Sequence, residues 1–439
     1  MKSGIDQGIY LKQLRKKLNL TQTDVGKEQF NKIKMSRFEN GLSPISEEDA
    51  KILEININET IKNSKFEPIN YLYFYNHEKF LIIEEAENNF KKLEHLIKYN
   101  LHSEFNIALE AFNNEFINHD IPDMKIKVFK MAAIFYTRHK EYHNSYLYYS
   151  RCVDNAMAAN NYDEIIKGKI NVYQILILLD REDEAIRLYK SLIEDNNLNS
   201  LHKYHIYNNM GHAYLKKKDY DNALQEFITA NKYVDISNIY NVSNMYLQRA
   251  YCMRFLNYPL EAIKINEEGL AYIGDNLPIR RLTFVKNIIS CYRYLDNKES
   301  MRNYMQKFVS YANDASIEEK NDAFVIEIYT DLYDDFMYLQ DKDGALFYIS
   351  RAFYLSNQQQ NFHYQNATLK KMLEYYRIID ADNPESPNVM RLVGYITELL
   401  TKYPDKINNK NVVFTMLLHF FETNQRDVCL KLLNLMMEP

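Results

Sequence analysis

The chain has 439 residues, a formal net charge of −5, and only 10 Gly and 9 Pro, about a third of the usual share of these two residues. Antiparallel β sandwiches need turn residues every ten positions or so, and nucleotide-binding α/β folds need glycine where backbone meets phosphate, so both are excluded. With 37 Tyr, 23 Phe and no Trp, the composition instead predicts an all-α protein of stacked helices, tyrosine being an amphipathic packing residue.

Charge is distributed unevenly. Residues 1 to 41 carry nine Lys/Arg against four Asp/Glu, a net +5 that leaves −10 for the rest of the chain. A small basic head on an acidic body predicts that only the head meets a polyanion. No run of 18 apolar residues occurs and the opening MKSGIDQGIY has no apolar signal core, so a cytoplasmic protein without membrane contact is expected. Cys152, Cys252, Cys291 and Cys429 form no CxxC pair and read as buried thiols rather than metal ligands.

In the head, Ile9, Leu11, Leu14 and Leu18 recur at helical spacing. Thr21 restarts a helix as a hydroxyl cap, and a third short helix is predicted over 31–39, ended by the left-handed turn former Asn40-Gly41 and by Pro44. Leu14, Val25, Met35, Phe38 and Leu53 are the candidate core. The stretch LRKKLNLTQTDVGKEQFNKIKMSRFENGLSP resembles the Xre/Cro-type helix-turn-helix, whose pattern runs LR, LTQ, SRIENG, P, and the likeness covers roughly residues 8 to 57. It departs at Gly26, where the family prefers Ala, and at Phe30, where a small turn residue is usual. The resemblance implies a DNA-binding domain over 1–65, with Gln22, Asn31, Lys32, Lys34, Ser36 and Arg37 facing double-stranded DNA. Lys32 and Lys34 are suited to phosphates, and Asn31 or Lys32 to base edges. The competing reading makes Arg37 and Glu39 a structural pair inside the domain.

From about residue 66 the chain repeats itself. Tyr207, Met210, Gly211, Tyr214, Ala223, Phe227 and Ala230 have the spacing of the tetratricopeptide pattern, two antiparallel helices packed through small residues at Gly211 and Ala223. Equivalents of Ala223 are expected at Ser145, Ala185, Ala262, Ser300 and Ala345. Further pairs at about 84–118, 361–402 and 409–437 make roughly nine helix pairs over 66–439, which in this repeat class stack as a right-handed superhelical solenoid. The first helix of each pair lines the inner face, where an extended peptide can lie. The inward positions carry Lys127, Lys130, Lys167, Asn171, Gln174, Asn208, Asn209, His212, Asn244, Gln248, Arg254 and Lys286, a polar and net basic strip. Asn suits a peptide because its amide both donates and accepts. Asn209 also stands where the repeat consensus uses Asn for bonds between repeats.

Residues 426–437, RDVCLKLLNLMM, are too apolar for a terminal repeat that faces solvent. Leu430, Leu433, Met436 and Met437 are therefore expected in a homodimer interface, which would match the two-fold symmetry of a palindromic operator. No phosphate-cradling GxGxxG or GxxxxGK[ST] occurs, His139 to His143 has its Glu one place too late for a zinc motif, and no nucleophile sits in a recognisable setting. Neither catalytic residues nor a cofactor or metal is expected. A helix-turn-helix followed by tetratricopeptide repeats resembles the peptide-responsive regulators of Gram-positive bacteria, the RRNPP group. That resemblance implies a quorum-sensing transcriptional regulator controlled by a short signalling peptide. Two alternatives remain: an array that docks a signalling protein and alters its phosphorylation, as in Rap-like relatives, and a plain scaffold.

Overall fold

The computed structural model describes residues 4–312, 323–359 and 362–379, together with 394 and 430. The described residues hold twenty helices and no strand, and the chain divides into two compact units, residues 1–181 and 182–439.

The first unit opens with α1 (Gly4–Lys17), α2 (Gln22–Gly26), α3 (Lys32–Glu39) and α4 (Glu47–Ile61). Thr21 and Asp24 form a reciprocal capping box at α2, Asn31 caps α3 and Ser46 caps α4, so three of the four helices begin at a side chain that satisfies free N–H groups. Leu11, Leu14, Leu18, Val25, Phe30, Met35, Phe38 and Leu53 form one core, whereas Ile9 is 45% exposed. Ile9 and Leu11 lie about 200° apart on a helix, so both cannot face inward. The departure at Gly26 has a packing cause: a Cβ there would stand 3.0 Å from Cγ of Met35 and 3.3 Å from Cβ of Phe30. The Met35 side chain and the Phe30 Cβ take the volume that an alanine methyl would need. Gly41 at φ 67° ends α3, as the Asn-Gly pair predicts.

Packing continues past residue 65. The amide of Asn58 both donates to and accepts from the backbone of Ile69, at 2.9 and 2.8 Å. Phe74 of α5 (Leu72–Tyr75) is fully buried in the same core. Then follow α6 (His77–Lys98), α7 (His102–Phe116), α8 (Pro122–Arg138), α9 (Tyr142–Ala158) and α10 (Tyr162–Leu178). α6 packs on α7, α8 on α9 and α9 on α10, around Phe105, Phe112, Phe116, Phe135 and Val128.

The second unit holds α11 (Glu182–Leu192), α12 (Ser200–Lys216), α13 (Tyr220–Asn231), α14 (Ile239–Phe255), α15 (Pro259–Ile273), α16 (Pro278–Tyr294), α17 (Lys298–Ala312), α18 (Ala323–Tyr338), α19 (Lys342–Gln358) and α20 (Phe362–Ile379). Consecutive helices pair as tetratricopeptide-like hairpins: α12 with α13, α14 with α15, α16 with α17 and α18 with α19. Gly211 is the close contact of its pair, since a Cβ would fall 2.4 Å from the Phe227 ring. Of the terminal pairs expected at 361–402 and 409–437, α20 is described; the second pair lies outside the described residues apart from Leu430.

The turns explain the missing glycines. Lys140, Asp180, Lys218, Asn257, Asp296 and Gln340 all have φ between 50° and 69°, the left-handed conformation for which glycine is the usual choice. Each stands five positions before a fully buried residue: Ser145, Ala185, Ala223, Ala262, Met301 and Ala345. The constant offset corrects one position of the expected series. Ser300 is half-buried, and the small-residue position of α17 is held by Met301, whose N–H donates to Asn297 as that of Ala223 does to Asp219. Backbone geometry at the turn sets the register, and methionine is flexible enough to fill the space.

Candidate functional site

Two surfaces carry the residues expected to be functional. On the head, α3 presents Lys32, Ile33 and Arg37 outward, with Ile33 74% exposed. Asn31 spends its side-chain oxygen on the Lys34 N–H, 2.9 Å away, so its cap role fixes the start of the helix. Lys34 stands 4.5 Å above the Phe30 ring and 3.4 Å from Asp49. The Ser36 hydroxyl accepts from the Asn40 amide at 3.3 Å. Gln22 is turned toward the domain interior, where its Nε2 donates to Glu39 at 2.9 Å.

The alternative pairing of Arg37 with Glu39 is corrected by the structure. Glu39 is buried and its fork partner is Arg15, with Nε and Nη2 at 2.5 and 2.9 Å, while Arg15 Nη1 also donates to the Leu20 carbonyl at 2.9 Å. Burial pushes the Glu39 carboxyl up, but the bonds from Arg15 and Gln22 and the Arg15 charge outweigh it and hold the group below its ordinary value. The buried pair thus ties α1 to the end of α3, and Arg37 is left on the surface.

In the second unit, α12, α14, α16 and α18, the first helices of four successive hairpins, enclose a groove of about 600 Å³. Asn208 and His212 enter it from α12, Asn244 and Gln248 from α14, and Lys286 from α16. Gln248 is the centre of this group: its Nε2 donates to Asn208 Oδ1 at 3.0 Å and to His212 Nε2 at 2.8 Å. The Gln248 Oε1 is buried and has no hydrogen-bond partner. Desolvation holds the His212 imidazole below its ordinary value although part of the ring stays open to solvent. Lys286 forms an ion pair with Asp331 of α18.

The remaining expected residues lie elsewhere. Asn209 is buried and donates to the Tyr189 hydroxyl at 3.0 Å, a bond between helices. Arg254 stacks over Phe255 at 4.7 Å and does not line the groove. Lys167, Asn171 and Gln174 belong to α10 of the first unit, where Lys167 pairs with Asp163 and, at 3.4 Å, with Glu164. Leu430 is 57% exposed; Leu433, Met436 and Met437 lie outside the described residues. Sequence reasoning missed Tyr240, Arg280, Asn287 and Glu327 on the groove walls. The signal was available: Tyr240, Asn244 and Gln248 follow one another at i+4, as do members of the Arg280, Thr283, Asn287 stripe at i+3 and i+4. Arg280 stands 4.3 Å over the Tyr240 ring, a cation held against an aromatic wall.

The groove offers amides that donate and accept and charges of both signs, carried on four helices. This is the inventory for binding an extended backbone. Among the described residues no three His, Cys, Asp or Glu are grouped to hold a metal ion, and no helix is long and apolar enough to cross a membrane. Cys152 and Cys252 are pushed up to about 12 and Cys291 to about 11, with burial the leading cause.

No protein-family model and no curated protein matches the chain. Among solved structures it is similar to PlcR of Bacillus thuringiensis in complex with the peptide PapR7 and DNA, at 15% identity over 67% of this chain and 98% of that one, with a TM-score of 0.42. It is also similar to the apo form of the quorum sensor NprR of B. thuringiensis, at 16% identity over 70% and 94% and a TM-score of 0.47. A third is a Rap protein complexed with competence and sporulation factor, at 11% identity over 81% and 97% and a TM-score of 0.43.

Proposed function

We propose that this protein is a DNA-binding regulator whose hold on DNA is controlled by a short peptide seated among α12, α14, α16 and α18. The observation that carries the reading is a groove walled by the side-chain amides of Asn208, Asn244, Gln248 and Asn287. Each such amide can donate to a peptide C=O and accept from a peptide N–H. The exposed Lys32 and Lys34 in the first turn of α3 support the DNA half of the reading, since a helix with its N-terminal turn exposed and cationic is the part of a helix-turn-helix that enters the major groove.

A peptide bonded to several first helices at once ties neighbouring hairpins together. It thereby favours one arrangement of the repeats over others, a shift of population that can alter how DNA-binding heads are presented. A dimer joined through the C-terminal segment around Leu430, reading a palindromic operator, completes the proposal. In this reading residues 1–65 bind DNA and residues 66–439 bind the peptide and the second copy, in the cytoplasm.

The test is a gel-shift titration against the DNA upstream of the gene, at two salt concentrations. Lys32→Ala with Lys34→Ala should weaken binding and reduce the log–log salt slope by about 2. The C-terminal segment of any small secreted product encoded beside the gene should change the shift when added. No shift with any upstream DNA at moderate salt, and no effect of the double substitution, would make the regulator reading wrong.

A further inference from the structure

The first unit has a groove of its own, of about 480 Å³, between α6 and α8. Its floor is apolar: Ile97 of α6 with Met131, Ile134 and Phe135 of α8, Ile134 being 38% exposed. Its rim is cationic, with Lys98 from α6 and Lys127, Lys130 and Arg138 from α8, against the single carboxylate of Glu94. Lys130 has a distant partner in Glu164, 3.9 Å away. Such a surplus of positive charge is unusual on a body that is net acidic outside the head.

The chemistry differs from that of the second-unit groove. No Asn or Gln lines it, so no side-chain amide stands ready to bond both the N–H and the C=O groups of an extended peptide. A helix satisfies its own backbone and needs only an apolar face and flanking charges of the right sign. From Lys127 to Arg138 the α8 wall runs about 16 Å, three turns of helix.

We propose that the α6–α8 groove is a docking site for an amphipathic acidic helix of a partner protein, whose apolar face packs on Ile97, Met131 and Ile134 while its carboxylates meet Lys98, Lys127 and Arg138. This inference is independent of the peptide reading of the second unit and needs no residue of the DNA-binding head.

Fluorescence anisotropy on the full chain tests it. The probe is a fluorescein-labelled helical peptide of about four turns, with Leu along one face and Glu on both flanks; its counterpart carries Lys at every Glu position. The Glu peptide should bind, and the Lys peptide should bind about tenfold more weakly or worse. Lys127→Glu with Arg138→Glu should reverse that order of preference. Ile134→Glu, at an exposed floor position, should also weaken the Glu peptide while leaving the thermal midpoint unchanged. Equal binding of the two peptides overturns the proposal. So does a Lys32→Glu, Lys34→Glu chain that loses the Glu peptide as fully as the groove variant does, because the probe would then be reading basic surface in general.

Discussion

Gln248→Leu separates a binding role from a structural one. The substitution removes two hydrogen bonds, to Asn208 and His212, each contributing about 1 kcal/mol. It also removes a buried acceptor without a partner, which costs the folded state about 1 to 3 kcal/mol. Asn208 and His212 line the open groove, so water replaces what they lose. The two effects nearly cancel, and urea unfolding should place the variant within about 1 kcal/mol of the parent. Peptide affinity should behave otherwise: losing a side-chain amide from the groove wall is worth about 1 to 2 kcal/mol, a weakening of roughly five- to thirtyfold by calorimetry. Acidification reports on the same group. Gln248 Nε2 donates to His212 Nε2, so that nitrogen must be unprotonated. The folded-state pKa of His212 lies below the ordinary 6.5, and the unfolded chain takes up the proton first. Its contribution is therefore complete above pH 6.5 and falls away as the pH drops below it, in stability and in peptide affinity alike. A variant that unfolds far more easily yet binds peptide as before would refute the reasoning, and Gln248 would be a structural residue.

Other outcomes follow from the packing. Glu39→Ala strands the Arg15 guanidinium and should cost about 3 kcal/mol in urea unfolding. Because the Glu39 carboxyl is held below its ordinary 4.5, the parent keeps that contribution above pH 4.5 and loses it as the pH falls further, a dependence that Glu39→Gln should flatten. Gly211→Ala drives a methyl against the enclosed Phe227 ring and should destabilise by about 2 kcal/mol despite alanine's better helix propensity; adding Phe227→Leu should recover part of it. Lys218→Gly, at φ 61°, should raise the thermal midpoint by an amount matching about 0.5 kcal/mol, whereas Lys218→Val should lower it by about 1 to 2 kcal/mol.

Much of the architecture was legible without coordinates. Helical spacing, the hydroxyl at Thr21, the Asn40-Gly41 stop and the Gly211 to Ala223 interval are local signals, each tied to backbone hydrogen bonding or to a period of 3.6 residues. They announce helices, caps and hairpins because those features depend on neighbours in sequence. What the sequence left open was decided by partners distant along the chain. Asn208 and Asn209 are adjacent and chemically identical, yet one opens to a groove and the other is spent on Tyr189, since successive residues on a helix point about 100° apart. Glu39 chose Arg15, twenty-four positions away, over the nearby Arg37, because only the α1 residue reaches the buried carboxylate. The left-handed turns carry Lys, Asp, Asn and Gln where glycine would have marked them. The scarcity of glycine that ruled out other folds therefore also concealed the register of this one, and the hairpin geometry alone assigned the small-residue position to Met301.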